Sequence, residues 1–342
     1  MPVVSFSLDS GSGEGDTTAM SAIPWVVMAA ASAAVDCLNP LPAPGEPGYM
    51  PAPRHHFRVL FENDSAADTD ESYSHGTRLD YVQDWDEHNS WGLSPTQNIY
   101  TPTTHTQACV PGEHPYAGYL ALGAAYLRRG DWVGCSTELQ LGTTGNPSFA
   151  RYSQDAVHRA CGMERWEGWS YQVPAEPTVQ LSSRQDYRLA FMECRSGSWQ
   201  SDALLFTREN VGTVDLSGGV GLVLRWGHNL PESMAVNGNH AADFGRGLLR
   251  VSDYRPEEMS YFLVGSVYGG YVARDITIDG GVFRSFPHKT CSRKPWQLEG
   301  QLGLGVVRRG VDYFAGMVCH SRTYRTEDKN HLYGSFAITL HW

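Results

Sequence analysis

The chain has 342 residues and a formal net charge of −11, with 26 Lys and Arg residues against 37 Asp and Glu residues. An acidic chain without a basic cluster argues against nucleic-acid binding, because phosphate neutralisation requires grouped Lys and Arg side chains. Hydrophobic residues make up 41% of the chain, and no apolar run reaches the roughly 18–20 residues of a membrane-spanning helix. The 36 Gly, 17 Tyr and 10 Trp residues instead favour many short strands with aromatic ends.

The N-terminal part differs from the rest in composition. Residues 22–35, AIPWVVMAAASAAV, have the length of the apolar region of a secretory signal, and Ala31-Ser32-Ala33 offers a small-x-small cleavage site. No Lys or Arg precedes this run, so a disordered tail is the alternative. We predict a signal or targeting segment over residues 1–35, a Pro-rich linker over 36–56 and one domain over 57–342.

The seven cysteines show neither a CxxC pair nor zinc-like spacing. In an exported protein several of them could pair, and the odd number leaves at least one thiol unpaired.

From Phe57 onward the hydrophobic pattern has a period of 2, which indicates strands. In YGSFAITLHW at the C-terminus, one face carries Phe336, Ile338, Leu340 and Trp342. About a dozen segments alternate in this way. A soluble sandwich also alternates, but the aromatic end of the last strand and the Tyr and Trp content favour a membrane barrel. We predict an all-β fold, an antiparallel transmembrane β-barrel of about 12 strands, with a soluble all-β protein as the alternative.

Residues 146–162, NPSFARYSQDAVHRACG, break this period. Asn146-Pro147 is a helix start signal and Gly162 is a stop signal, so we predict a short helix in an extracellular loop. Gln154 and His158 are four residues apart and share a helix face. A glutamine there could fix the imidazole tautomer and leave the other ring nitrogen as a base, although most helical histidines are surface or packing residues.

The stretch from Phe61 to Gly76, FENDSAADTDESYSHG, is rich in side-chain oxygens. A solvated acidic loop is one reading, and the stretch lacks EF-hand spacing. By strand alternation Asp64 and Ser74 oppose the apolar positions of their strands, so we expect both to point inward near one rim. Carboxylate, amide and hydroxyl oxygens at a rim suit Ca²⁺.

Several motifs follow one another in a familiar order. They are Asn63-Asp64, DESYSHG, QNIYTP, HPYAGYLALG, Gln154-x-x-x-His158 and EGWSYQ. Together they resemble the outer-membrane lipid A deacylases, the LpxR family of Gram-negative bacteria, over residues 57–342.

The resemblance implies a 12-stranded outer-membrane barrel that hydrolyses the ester of the 3′-linked acyloxyacyl group of lipid A in the presence of Ca²⁺. It implies lipopolysaccharide as substrate, outer-membrane lipids as surroundings and the outer membrane as location. His158 would be the general base and Gln154 its neighbour at the site. The resemblance assigns Asn63, Asp64, Ser74 and Glu164 to the metal site.

Two positions depart from the family pattern. His75 replaces the usual Asn, and an imidazole is a poor Ca²⁺ ligand. His114 replaces the usual Arg, so that only His105 and His114 remain as candidates for the basic residue beside the substrate. The competing hypothesis is a non-catalytic barrel, a pore or structural protein whose loop helix plugs the lumen. A serine esterase is disfavoured because the chain contains no G-x-S-x-G sequence.

Overall fold

A computed structural model describes residues 55–67, 71–86, 88–104, 109–130, 132–231, 259–308 and 310–342. The predicted signal segment and nearly all of the predicted linker lie outside these residues. The first strand begins at His55, two residues before the predicted start of the domain. The strands are β1 His55–Asn63, β2 Ser72–Asp84, β3 Asn89–Thr101, β4 Ala117–Arg129, β5 Val133–Thr144, β6 Pro177–Arg188, β7 Cys194–Ser196, β8 Trp199–Gly212, β9 Asp215–His228, β10 Ser260–Asp275, β11 Trp296–Arg308, β12 Val311–His320 and β13 His331–His341.

Twelve of these strands form a closed antiparallel ring. Each strand pairs with its neighbour in the chain, β6 pairs directly with β8, and β1 pairs with β13. The three-residue β7 pairs only with β8 and lies outside the ring. The predicted barrel of about 12 strands is confirmed. Closure pairs every strand of the ring on both sides, so the barrel has no open edge.

Alternation along the strands separates a polar lumen from an apolar outer wall. On β1 the side chains of His56, Arg58, Leu60 and Glu62 are buried, while their neighbours are partly exposed. On the outer wall Leu122 and Leu302 expose 56% and 66% of their surface. In a bilayer these leucines would contact lipid tails rather than water.

Ion pairs cross the lumen, beside a buried apolar cluster that includes Leu60, Phe206 and Phe314. Arg78 donates to Asp80 at 2.8 Å and to Glu138, three strands away, at 3.1 Å. The other lumenal pairs are Arg58–Asp80, Arg184–Asp186, Arg208–Glu299 and Arg225–Asp202. Because each charge has an opposite partner, the lumen can hold many charged side chains without isolated buried ions.

Aromatic rings gather on the outer wall at the end of the barrel where β1 begins and β13 ends. Trp91 pairs with Tyr126 across β3 and β4, and the ring of Trp91 lies 5.8 Å from that of Tyr81. On the far side of the barrel Trp199 stacks on Trp226 at 4.6 Å. Such a girdle marks a membrane interface.

Two α-helices lie at the opposite end, α1 over Ala150–Cys161 and α2 over Ile276–Asp279. A 3-10 turn over Asn146–Ser148 precedes α1, and Gly162 ends it in the left-handed conformation with φ 71°. The prediction of a short loop helix is therefore confirmed, with its first α-helical residue four positions later than expected. Gly162 fits because a residue without Cβ adopts positive φ at little cost.

Two further findings concern the helices and the cysteines of the described residues. None of the helices there is both long and apolar enough to cross a membrane. The six cysteines there are free thiols, so the possible pairing of several cysteines does not occur among them.

Candidate active site on the outer wall

One row of outward-facing positions crosses four neighbouring strands near the extracellular rim. Asn63 on β1 pairs with His75 on β2. His75 pairs with Ile99 on β3, and Ile99 pairs with Gly118 on β4. Adjacent strands lie about 4.8 Å apart, so the backbones of Asn63 and Ile99 are separated by roughly 10 Å.

The outward direction of this row follows from alternation. Ser94 on β3 reaches the lumenal Glu138 at 2.5 Å, so Ile99, five positions later, faces the outer wall. On β4 the exposed Leu122 faces lipid, and Gly118 lies four positions earlier on the same face.

Helix α1 lies on this row, outside the barrel. Ile99 packs in one buried cluster with Tyr116, Ala150, Trp166 and Trp169. A Cβ on Gly118 would approach Ser148 Oγ to 2.2 Å and Ala150 Cβ to 2.4 Å, so only glycine permits this close approach. The side chain of Gln97 donates to the carbonyl of Ser148 at 2.7 Å and ties the start of the helix to the wall.

His158 faces the barrel wall in the last turn of α1. Its Nδ1 lies 2.6 Å from the carbonyl oxygen of Glu164, and its ring meets the Trp166 ring edge-on at 5.5 Å. A carbonyl can only accept, so Nδ1 carries the hydrogen and Nε2 is the basic nitrogen of the neutral ring. The side chain is buried. No residue type or spacing indicates this contact, which forms where the chain turns back beyond Gly162.

Gln154 shares the buried face of α1 with Ala150 and His158, as the helical spacing predicted. Its Oε1 accepts a hydrogen bond of 2.9 Å from Nε1 of Trp169. The hydrogen bond of Nδ1, which defines the tautomer, goes to the Glu164 carbonyl and not to Gln154. Gln154 instead joins α1 to the 3-10 turn Gly168–Tyr171.

Asn63 and Asp64 lie where β1 ends. Asn63 Oδ1 accepts from the backbone N–H of Ser65 at 2.8 Å, and Asp64 Oδ2 accepts from that of Glu71 at 2.7 Å. Asp64 is not a strand residue, since it begins a 3-10 turn, so the alternation used to orient it does not apply.

Ser74 also departs from the expected orientation. A register shift between Tyr73 and His75 interrupts the alternation of β2, and the Ser74 hydroxyl forms a hydrogen bond with that of Thr101. Thr101 lies two positions beyond the outward-facing Ile99, so this contact associates Ser74 with the outer wall rather than the lumen.

The oxygens of Asn63, Asp64 and Ser74 are of the type that Ca²⁺ prefers, and all three residues lie at one end of β1 and β2. Glu164 is exposed, and its contact with His158 is made by its backbone carbonyl. Within the described parts of the chain, no group of three or more His, Cys, Asp or Glu residues could by itself hold a metal. A cation here would therefore depend on amide, hydroxyl and carbonyl oxygens and on water beside the Asp64 carboxylate.

The histidines that depart from the family pattern lie in different places. His75 belongs to the outward row, with Nε2 2.7 Å from Thr77 Oγ1 and its ring 4.8 Å from that of Phe61. His114 is buried, stacks on Tyr100 at 5.5 Å and borders a lumenal cavity of about 110 Å³. Burial lowers the pKa of His114 to about 4.

At neutral pH His114 is therefore uncharged, and it borders the lumen rather than the outer wall, so its position does not favour it as the basic residue beside the substrate. The other candidate, His105, lies outside the described residues.

Sequence reasoning missed three residues that shape the site. Trp166 and Trp169 contact His158 and Gln154, and Gly118 allows α1 to pack closely on the wall. The EGWSYQ and HPYAGYLALG motifs contain Trp169 and Gly118, but nothing in their sequence indicates contact with the helix.

A closed antiparallel barrel with an apolar outer wall, an aromatic girdle and a polar lumen is an outer-membrane protein. A family model described as "Outer membrane protein LpxR" matches residues 19–342. The chain belongs to this family, which supports a general function as an outer-membrane lipid A deacylase.

A solved structure agrees on the fold. LpxR from Salmonella typhimurium superimposes with a TM-score of 0.74 at 17% identity, covering 84% of this chain and 100% of that chain. The β domain of the Bordetella autotransporter BrkA gives a TM-score of 0.42 at 10% identity, covering 85% of this chain and 100% of that one. The search of curated protein sequences gave no match.

Proposed function

We propose that this protein is a Ca²⁺-dependent lipid A 3′-O-deacylase, which hydrolyses the ester of the 3′-linked acyloxyacyl group with a water molecule activated by His158. The observation that carries the proposal is the hydrogen bond from His158 Nδ1 to the Glu164 carbonyl on the outer wall of the barrel. It gives the ring a defined tautomer on the outer side of the barrel.

His158 has the features of a general base. With Nδ1 donating to the carbonyl, Nε2 can take a proton from water as the oxygen attacks the ester, and the carbonyl stabilises the imidazolium that forms. Trp166 restricts rotation of the ring and shields it from bulk water. A positioned base of this kind contributes roughly 10²–10⁴-fold in rate.

Asn63, Asp64 and Ser74 are the proposed cation ligands, whereas Glu164 would act through its backbone carbonyl. When bound, Ca²⁺ would polarise the ester carbonyl and stabilise the negative charge that develops on its oxygen. The roughly 10 Å between the backbones of Asn63 and Ile99 is short enough for one ester to lie between α1 and the end of β1.

The outward direction of the site suits a substrate held in the bilayer. Ile99, Gly118 and α1 lie on the wall that also carries Leu122. A lipid in the outer leaflet could therefore approach laterally without entering the lumen.

A non-catalytic barrel is the second candidate, and two observations disfavour it. Helix α1 lies outside the barrel, so it cannot plug the lumen as that hypothesis supposed. The lumen is crossed by ion pairs such as Arg78–Glu138, which suits a filled scaffold better than an open pore.

The test is mass spectrometry of lipid A from outer membranes that contain the wild type, His158→Ala or the control His88→Ala, whose histidine is exposed at the opposite end. Wild type and control should remove the 3′-linked acyl groups, EDTA should stop the reaction, and His158→Ala should lose it. Unchanged lipid A with the wild type and Ca²⁺ would refute the enzyme. Deacylation that persists in His158→Ala would refute the assigned base, and deacylation that persists in EDTA would refute the cation.

A further inference from the structure

Two aromatic rings project from the side of α1 that faces away from the barrel. Phe149 and Tyr152 are 57% and 66% exposed, and their ring centroids lie 6.2 Å apart. At 100° per residue, Tyr152 points about 160° away from the centre of the buried face formed by Ala150, Gln154 and His158. The two rings therefore lie on the side of the helix opposite the wall on which it rests.

Phe149 adopts an unfavourable backbone conformation. It has φ 58° and ψ 9°, the left-handed region in which a residue with a Cβ is strained. A glycine or asparagine would relieve this strain and would not expose an apolar ring to water. The chain thus combines strain with an exposed phenyl ring at the residue that precedes α1, and such outliers concentrate at functional surfaces.

The position of α1 along the membrane normal coincides with the expected surface of the bilayer. Tyr126 on β4 belongs to the aromatic girdle at the other end of the barrel. A strand tilted by about 40° rises roughly 2.6 Å per residue along the membrane normal, so an apolar band of about 25 Å covers about ten residues. Ten residues before Tyr126 is position 116, two residues before Gly118, on which α1 rests.

The wall beneath the helix is continuous with the lipid-facing surface. Leu122 pairs with Leu141, which pairs with Val179, and all three are about half exposed. Arg159 is exposed on the outer side of α1, seven residues after Tyr152, where it can meet lipid phosphates. Aromatic rings beside a cation are the side chains found at the boundary between acyl chains and headgroups.

We infer that Phe149 and Tyr152 form a lipid anchor that inserts α1 into the outer leaflet and thereby sets the depth of His158 in the bilayer. The occupant of this surface is membrane lipid, with its acyl chains against the two rings and its phosphates near Arg159. The consequence for turnover rests on the proposed function, whereas the insertion itself does not.

Insertion is tested with the full-length barrel in vesicles of phosphatidylethanolamine and lipopolysaccharide. A photoreactive benzoylphenylalanine replaces Phe149 or Tyr152, and mass spectrometry identifies what each one captures. Leu122 serves as the lipid-facing control, and Phe283, which is 67% exposed on the loop between β10 and β11, is the matched exposed phenylalanine. Positions 149 and 152 should capture lipid acyl chains as position 122 does, and position 283 should not.

Capture of protein, or of no lipid, at positions 149 and 152 while position 122 captures lipid would overturn the anchor. Capture of lipid at position 283 as readily as at 149 would also count against it, because exposure alone would then explain the result.

A second measurement uses Phe149→Ser with Tyr152→Ser. Deacylation of lipid A in vesicles should fall roughly tenfold or more, because the anchor loses buried apolar area, whereas deacylation in detergent micelles should be nearly unchanged. An equal loss of deacylation in vesicles and in micelles would contradict the role of the anchor in setting the depth of His158. Absence of deacylation by the wild type would count against the proposed function and leave the crosslinking result standing on its own.

Discussion

Nε1 of Trp169 donates a hydrogen bond of 2.9 Å to Oε1 of Gln154, one turn of helix before His158. This bond links the 3-10 turn Gly168–Tyr171 to the buried face of α1. Both side chains are buried, so removal of the donor would leave the amide oxygen without this partner in a site that excludes water.

Trp169→Phe should therefore disturb the site while keeping the aromatic packing. We expect a loss of about 1 kcal/mol in local stability and a fall in kcat of roughly tenfold with little change in KM, because Gln154 and His158 would be less well positioned. The measurement is lipid A turnover against substrate concentration. Trp226→Phe, on the lipid-facing wall, is the control, and an unchanged kcat in Trp169→Phe would show that the bond does not position the site.

Gly118→Ala tests the close packing of α1 on the barrel wall. The added Cβ would meet Ser148 Oγ at 2.2 Å and Ala150 Cβ at 2.4 Å, so the helix must move away from the wall. A displacement near 1 Å can cost about 10²-fold in activity, while the barrel itself should stay folded. Heat-dependent migration in electrophoresis reports the barrel, and lipid A analysis reports the activity.

Gly300→Ala is the matched control for that substitution, since the nearest atom to its added Cβ is 3.9 Å away. Full activity in both variants would mean that the position of α1 does not matter for turnover.

His114 should make the stability of the protein depend on pH. Burial lowers its pKa from 6.5 to about 4, so between these values the unfolded chain binds a proton that the folded chain does not. Stability should thus be unaffected by this group above about pH 6.5 and should fall as the pH drops towards 4, by at most about 3 kcal/mol.

The measurement for His114 is urea unfolding in lipid or detergent at a series of pH values, for the wild type and His114→Gln. The variant should lose part of the slope between pH 6.5 and 4. Parallel curves for the two proteins would exclude this group as a source of the pH dependence.

Glu176 joins two extracellular loops. Its buried carboxylate accepts backbone N–H groups of Val282 at 2.8 Å, Phe283 at 3.1 Å and Arg284 at 3.3 Å. In Glu176→Gln an amide NH₂ would face some of these donors, so the loop should open more easily, by about 1–3 kcal/mol.

Hydrogen exchange of residues 282–284 measures this opening directly. Exchange should be roughly 10- to 100-fold faster in Glu176→Gln and unchanged in Glu193→Gln, whose partly exposed ion pair with Arg188 lies at the opposite end of the barrel. Equal exchange rates in the two variants would contradict the role of Glu176.

The barrel itself could be predicted from the sequence because alternation is a local property that each strand carries in its own residues. The site was harder to predict where that regularity ends. Asp64 begins a 3-10 turn and Ser74 lies beside a register shift, so a count of alternating positions could not orient either side chain. Side chains alternate between the two faces of a strand only while the strand pairing stays regular.

The environment of His158 could not be predicted for a different reason. Helical spacing placed Gln154 and His158 on one face, but the partner of Nδ1 is a backbone carbonyl beyond the helix end. Every residue has such a carbonyl, so no residue type distinguishes this one. The burial of His114 likewise depends on Tyr100 and Tyr324, which come from distant loops and strands.

The pairing of β1 with β13 has a consequence for when the proposed cation site takes its final form. Asn63, the last residue of β1, is held by Gly334 on one side and His75 on the other, and a Cβ on Gly334 would come within 2.7 Å of Ala66 in the turn that follows. An incompletely inserted chain, whose ends have not yet met, lacks half of this support. The end of β1, with the proposed cation ligand Asn63, should therefore take its final position only when the two ends of the barrel have paired in the bilayer.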